Sequence, residues 1–189
     1  MTSILLIAPA VEPLSLAEAK AFLRMETGDD DALITALIAG ARLHIEGQTQ
    51  LALITQSWRM VFDRWPKHGR IAVRPAPLKA VTAARVYDLH GNAQTVDTQA
   101  FVPDLGASML AFVPWAVPVP TRIAAGIELD VTVGFGAAAA DVPEPLRQAV
   151  RLLVAHWYEN RGLIAAAGET ALLPSTVTAL IAPYRMLSL

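Results

Sequence analysis

Between Asp31 and Arg161 the apolar pattern of the chain changes period twice, and few folds accommodate both changes. From about Asp31 to Thr49, Leu33, Ile34, Leu37, Ile38, Ala41 and Ile45 fall within one broad arc at about 100° per residue. Thr35, Arg42 and Glu46 lie opposite, which predicts an amphipathic helix with a solvated polar face. The middle of the chain then alternates. Trp58, Met60 and Phe62 share one face against Arg59 and Asp63. Ile127, Leu129, Val131, Val133 and Phe135 alternate with Glu128, Asp130 and Thr132. Period two marks half-buried strands of an antiparallel sheet. Further strands are expected at Val81–Leu89 and Ala93–Val96, joined by a His90-Gly91-Asn92 turn. After Val142-Pro143-Glu144-Pro145 the helical period returns, with Leu146, Ala149, Val150, Leu153, Val154 and Trp157 as its stripe.

The chain ends follow helical rules. Ser15-Leu16-Ala17-Glu18 is a capping box opening a helix to about Met25, and Asp29 or Asp30 can cap the next helix. Gly162 stops the long C-terminal helix, Leu163–Leu173 is small and Ala-rich, and Pro174-Ser175 begins a last short helix that Pro183 ends. The fold class expected is α+β: a small helical core formed by both ends of the chain, with an inserted antiparallel β-rich region. Residues 1–53 form the N-terminal helical part, 54–140 the β-rich insertion, 141–162 a core helix, and 163–189 a flexible arm with a short helix.

Composition narrows function. Apolar residues make up 54% of the chain, above the roughly 45–50% of an average soluble protein. Two readings stay open: part of the surplus is buried only against other subunits, or it reflects alanine bias. Net charge is −2 with no basic run, which argues against binding nucleic acid through its phosphates. The absence of cysteine removes thiolate chemistry. Met1–Val11 is apolar but short, lacks a basic flank and contains Pro9, so neither a signal peptide nor a membrane span is expected.

Catalytic patterns are missing. His44, His68, His90 and His156 show no ligand spacing, and His44 and His156 read better as packing residues beside apolar helix faces. Gly134-Phe135-Gly136 reads as a strand-ending turn rather than a phosphate loop, and Asp29-Asp30-Asp31 as helix capping rather than a cation site. Nothing pairs Asp63 with Glu128 as acid and base. No catalytic, cofactor or metal site is expected. The features that remain are contact features. Trp65 stands past a strand end, which packing or an interface explains equally well. Arg147, Arg151 and Tyr158 lie on the polar side of the C-terminal helix, where a plain solvated face is the default for the arginines and contacts between subunits are the alternative.

Four segments, in order, resemble the head–tail connector (adaptor) family of long-tailed bacteriophages and gene transfer agents. They are Leu14–Lys20 with Leu23; Asp29-Asp30-Asp31 leading to Ala41-Arg42 and Glu46; Gln56-Ser57-Trp58 with Asp63-Arg64-Trp65-Pro66; and Val142–Ala149 leading to Trp157–Arg161. The resemblance implies a homo-oligomeric ring, commonly of twelve subunits, beneath the portal protein at the head–tail interface of a particle assembled in the host cytoplasm. A stopper or tail-completion protein would sit on its far side, and DNA would pass through the lumen without specific binding. It also implies a portal-binding C-terminal arm, here Pro174, Val177, Leu180, Ile181, Tyr184, Arg185, Met186, Leu187 and Leu189. The large β region departs from the shorter all-helical members. A stopper or tail-terminator role is the nearest alternative, weakened by the leading helix pair; an enzyme with an unrecognised site is the more distant one.

Overall fold

A computed structural model describes residues 2–160 and 174–185. The chain divides into two compact units, one of Met1–Ala10 with Thr55–Phe135, the other of Val11–Ile54 with Gly136–Leu189. The first is all β and the second helical, so the fold is α+β as expected. Among the described residues, no helix is long and apolar enough to cross a membrane.

The β unit holds an antiparallel five-stranded sheet of β1 (Thr2–Ile7), β2 (Gln56–Phe62), β8 (Ile127–Val133), β4 (Leu78–Tyr87) and β5 (Ala93–Val96), in that order. A three-stranded sheet orders β3 (Arg70–Ala72), β7 (Met109–Phe112) and β6 (Phe101–Asp104). Alternation places β8 at the centre: Ile127, Leu129, Val131 and Val133 are each fully buried. Full burial of such side chains contributes about 1.5–3 kcal/mol each.

Residues 2–7 were expected within the helical part of the chain. They instead pair with β2, Ser3 opposite Met60 and Ile4 opposite Arg59. The reason is local: Ile4-Leu5-Leu6-Ile7 has no helical period, and β2 offers an open edge on the side away from β8. Two glycines are placed by necessity. Gly69 has φ +66°, and a Cβ there would lie 2.4 Å from the Phe112 carbonyl oxygen. At Gly136 a Cβ would meet the Asp141 carboxylate, whose Oδ2 accepts the Ala138 amide at 2.9 Å.

The helical unit comprises α1 (Leu16–Leu23), α2 (Asp31–Thr49), α3 (Glu144–Glu159) and α4 (Ser175–Ile181). The capping box forms as written: the Glu18 amide donates to Ser15 Oγ at 3.2 Å and the Ser15 amide to Glu18 Oε2 at 2.9 Å. Ile34, Ile38, Ala41 and Ile45 meet Leu146, Ala149, Val150, Leu153 and Val154 in the core.

The buried face of α2 is turned from the expected one. Leu33 is exposed, whereas Arg42 is only 8% accessible. Arg42 Nε donates to Glu12 Oε2 at 2.7 Å and Nη1 to Glu46 Oε2 at 2.8 Å, so the burial is paired. Asp30 occupies the N-cap of α2 without a side-chain capping bond, because its Oδ2 instead accepts the Tyr158 hydroxyl.

Candidate interaction surfaces

The helical unit is cross-braced by the residues singled out as lateral contacts. Arg147, on the first turns of α3, donates from Nη2 to Glu18 Oε1 at 2.7 Å, from Nη1 to Glu144 Oε2 at 3.0 Å and from Nε to the Pro13 carbonyl at 3.1 Å. Arg151, one turn on, donates to Glu144 Oε1 and, at 3.1 Å, to Gln148 Oε1. The hydrogen bonds from Ser15, backbone first, and then the Arg147 charge hold the Glu18 carboxyl below its ordinary value. Arg151 does the same for Glu144. Together with Tyr158 on Asp30, these side chains are engaged within their own subunit.

Trp65 is likewise engaged. Its Nε1 donates to the Pro118 carbonyl at 2.7 Å, and its ring lies 5.7 Å from Phe101 and 5.1 Å from Phe112. Beside it, Arg64, Lys67 and Arg122 line an open cleft of about 470 Å³ with Val119 and Ile123. Ile123 is 85% exposed and Trp115, eight positions earlier, 88%, high values for apolar side chains. A reading by period does not find these exposed side chains, because they lie on the irregular stretch 114–123.

The candidates in α4 and beyond separate into three groups. Val177 and Ile181 are fully buried in the helical unit. Pro174, Leu180 and Tyr184 are half-buried, and Arg185 is exposed with Nη2 donating to Gln48 Oε1 at 3.2 Å. Met186, Leu187 and Leu189 lie outside the described residues. Val177 and Ile181, four positions apart, share the face of α4 that packs into the helical unit, so they are not the free contacts expected of them.

On the sheet, charged side chains of the polar strand positions form a compact cluster. Arg59 on β2 donates to Asp130 through Nε at 2.7 Å and Nη2 at 3.0 Å, and Arg85 on β4 donates to Oδ2 at 2.8 Å. Glu128 takes Arg59 Nη1 at 3.1 Å and the Tyr87 hydroxyl at 2.9 Å. Burial alone would raise the Asp130 carboxyl, but the hydrogen bonds from Arg59 and Arg85 outweigh it and hold it low. Every carboxylate in the cluster has a cation in reach, an arrangement that fixes strand register. Of the histidines, His44 lies edge-on to Trp157 at 6.0 Å, as a packing residue would, with its buried Nε2 unpartnered among the described residues. Among those residues no group of His, Asp and Glu is arranged to hold a metal ion.

Comparison with known proteins agrees with this contact-dominated picture. The family model described as head completion protein matches residues 12–187. Solved structures match over the whole chain. The neck of an empty gene transfer agent particle, computed with C6 symmetry, contains a chain 31% identical, with a TM-score of 0.81 and coverage of 100% of this chain and 97% of that one. The virion of a native gene transfer agent particle gives 30% identity at a TM-score of 0.81, with the same coverage. The neck of the native particle, computed with C12 symmetry, gives 30% at 0.79, again covering 100% and 97%. No curated protein matches.

Proposed function

Because the chain belongs to the head completion protein family, we propose that it is a head–tail adaptor: a structural, non-enzymatic subunit of a phage-like particle, arranged as a ring between the portal and the stopper. The observation that carries this reading is the full-length structural match, at 31% identity, to a chain in the neck of such a particle. Twelve copies agree with both symmetries of the matched necks, since sixfold symmetry is contained in twelvefold. The near-neutral charge suits a conduit through which DNA passes without being held by its phosphates.

The portal contact falls to the segment from Leu180 onward, with Tyr184, Arg185, Met186, Leu187 and Leu189 as its reach and Pro174 at its root. Val177 and Ile181 anchor that segment from inside the helical unit. Trp65, Arg147, Arg151 and Tyr158 shape the lateral surface by fixing their neighbours rather than by reaching across. Ring contacts of this kind are often too weak to persist alone and close by mass action on a partner. The test is the mass of the purified protein with and without its portal. A portal-dependent step to a ring-sized assembly is the expected result; a protein that stays monomeric beside the portal refutes the adaptor reading.

A further inference from the structure

The five-stranded sheet ends in two strands that lack most of the devices by which proteins keep edges from pairing. β1, Thr2-Ser3-Ile4-Leu5-Leu6-Ile7, and β5, Ala93-Gln94-Thr95-Val96, contain no charge and no proline. The three-stranded sheet of the same unit provides the contrast. Its edge strands carry Arg70 on β3, and Pro103 with Asp104 on β6. Ile4, Leu5, Leu6 and Ile7 are 42–65% exposed, so the apolar side chains of β1 are open to solvent on both faces. Among the described residues, one register shift between Leu5 and Ile7 is its protection, and it lies at the strand's end. A long, apolar, uncharged edge of this kind is an aggregation hazard unless another chain covers it.

We propose that the occupant of the β1 edge is a second copy of this chain, presenting its β5 edge, so that the sheet continues from subunit to subunit. This rests on the ring reading above. A ring closed by rotation needs a heterologous contact, in which two different patches on each copy meet. The opposite ends of one sheet supply such a pair, both bare, whereas β1 against β1 would give a two-fold dimer and stop. Successive antiparallel pairings from β1 through β2, β8 and β4 to β5 leave the two edge strands running the same way. The pair between copies is therefore parallel, with main-chain hydrogen bonds supplying affinity and Ile4–Ile7 the apolar cover.

The chain has no cysteine, so introduced thiols report one contact each. Ile4→Cys and Thr95→Cys, singly and together, would be assembled with the portal and treated with a short bismaleimide. The wild-type mass, measured first, tests the ring itself. The double variant should give a ladder of cross-linked multimers. The two single variants mixed should give dimers only, and each alone should give none. Cross-linking of Ile4→Cys to itself or to the portal, or no ladder from assemblies of ring mass, overturns the proposal while leaving the adaptor reading intact. A second arm places lysine on the edge, Leu5→Lys with Ile7→Lys, positions whose exposure tolerates it. With the circular dichroism unchanged, loss of the ring-sized species is expected, and rings forming as in the wild type refute the assignment.

Discussion

Arg147 Nη2 lies 2.7 Å from Glu18 Oε1 across 129 positions of sequence, and the same carboxylate closes the capping box of α1. One side chain thus ties the start of the first helix to the start of the third. Neither end of the helical unit is complete without the other, although Thr55–Phe135, all of the β unit but its first strand, is translated between them.

Replacing Arg147 with Met should therefore lower the stability of the helical unit by about 1–2 kcal/mol, between the ranges for charged and for exposed hydrogen-bonded pairs. The urea midpoint of the isolated subunit reads it. An unchanged midpoint together with lost ring assembly would instead assign Arg147 to a neighbouring copy.

Acid should loosen the subunit through the same groups. Glu18 and Glu144 lie below their ordinary 4.5 and Asp130 below 3.8, so the folded state binds protons less readily than the unfolded one. Their contribution is complete above those ordinary values and is lost as pH falls through the depressed ones. Denaturation midpoints from about pH 5 to pH 3 should fall steadily, and Glu18→Gln should flatten that slope. A wild-type midpoint that holds level across the interval would show that these carboxylates are not linked to folding.

Asp130→Asn tests the sheet cluster. It leaves Arg59 and Arg85 facing a neutral amide, with Glu128 as their remaining anion. Arg59 and Arg85 keep some solvent contact, so the cost should be about 2–3 kcal/mol, below that of breaking a fully buried pair. A double-mutant cycle with Arg59→Met should recover part of it, because the second change removes the unpaired charge.

What was legible in the residues follows from this chemistry. Long periodic segments announced themselves: α2, α3, β2 and β8 stand where the apolar spacing put them, and the capping box marked the start of α1. The burial of Arg42 and Asp130 could not be read from spacing, because each has a partner remote in sequence, Glu12 by 30 positions and Arg59 by 71. A charge on one face looks the same in sequence whether water or a carboxylate meets it. Strand β1 escaped for a different reason: an edge strand exposed on both faces has no alternation to read. β3, β6 and β7 are three or four residues long, too short to display a period. The α4 candidates came from resemblance, and only packing could separate Val177 and Ile181, inside, from Arg185, outside.

That separation decides how the C-terminal segment must be tested. Deleting everything from Pro174 removes two fully buried side chains, so any loss of portal binding would be mixed with loss of fold. Ile181→Ala alone should cost about 2–5 kcal/mol. Truncation after Arg185 removes none of the described side chains, and its unfolding midpoint, measured beside portal binding, keeps loss of fold and loss of contact apart. If the portal contact lies in the last four residues, that truncation should weaken portal binding by roughly tenfold or more, about 1.4 kcal/mol for each tenfold step. Arg185→Ala, which releases Gln48, should weaken it less. Full-strength binding by the truncated chain, measured by titration against the portal, would move the contact back to Leu180 and Tyr184 or away from this segment altogether.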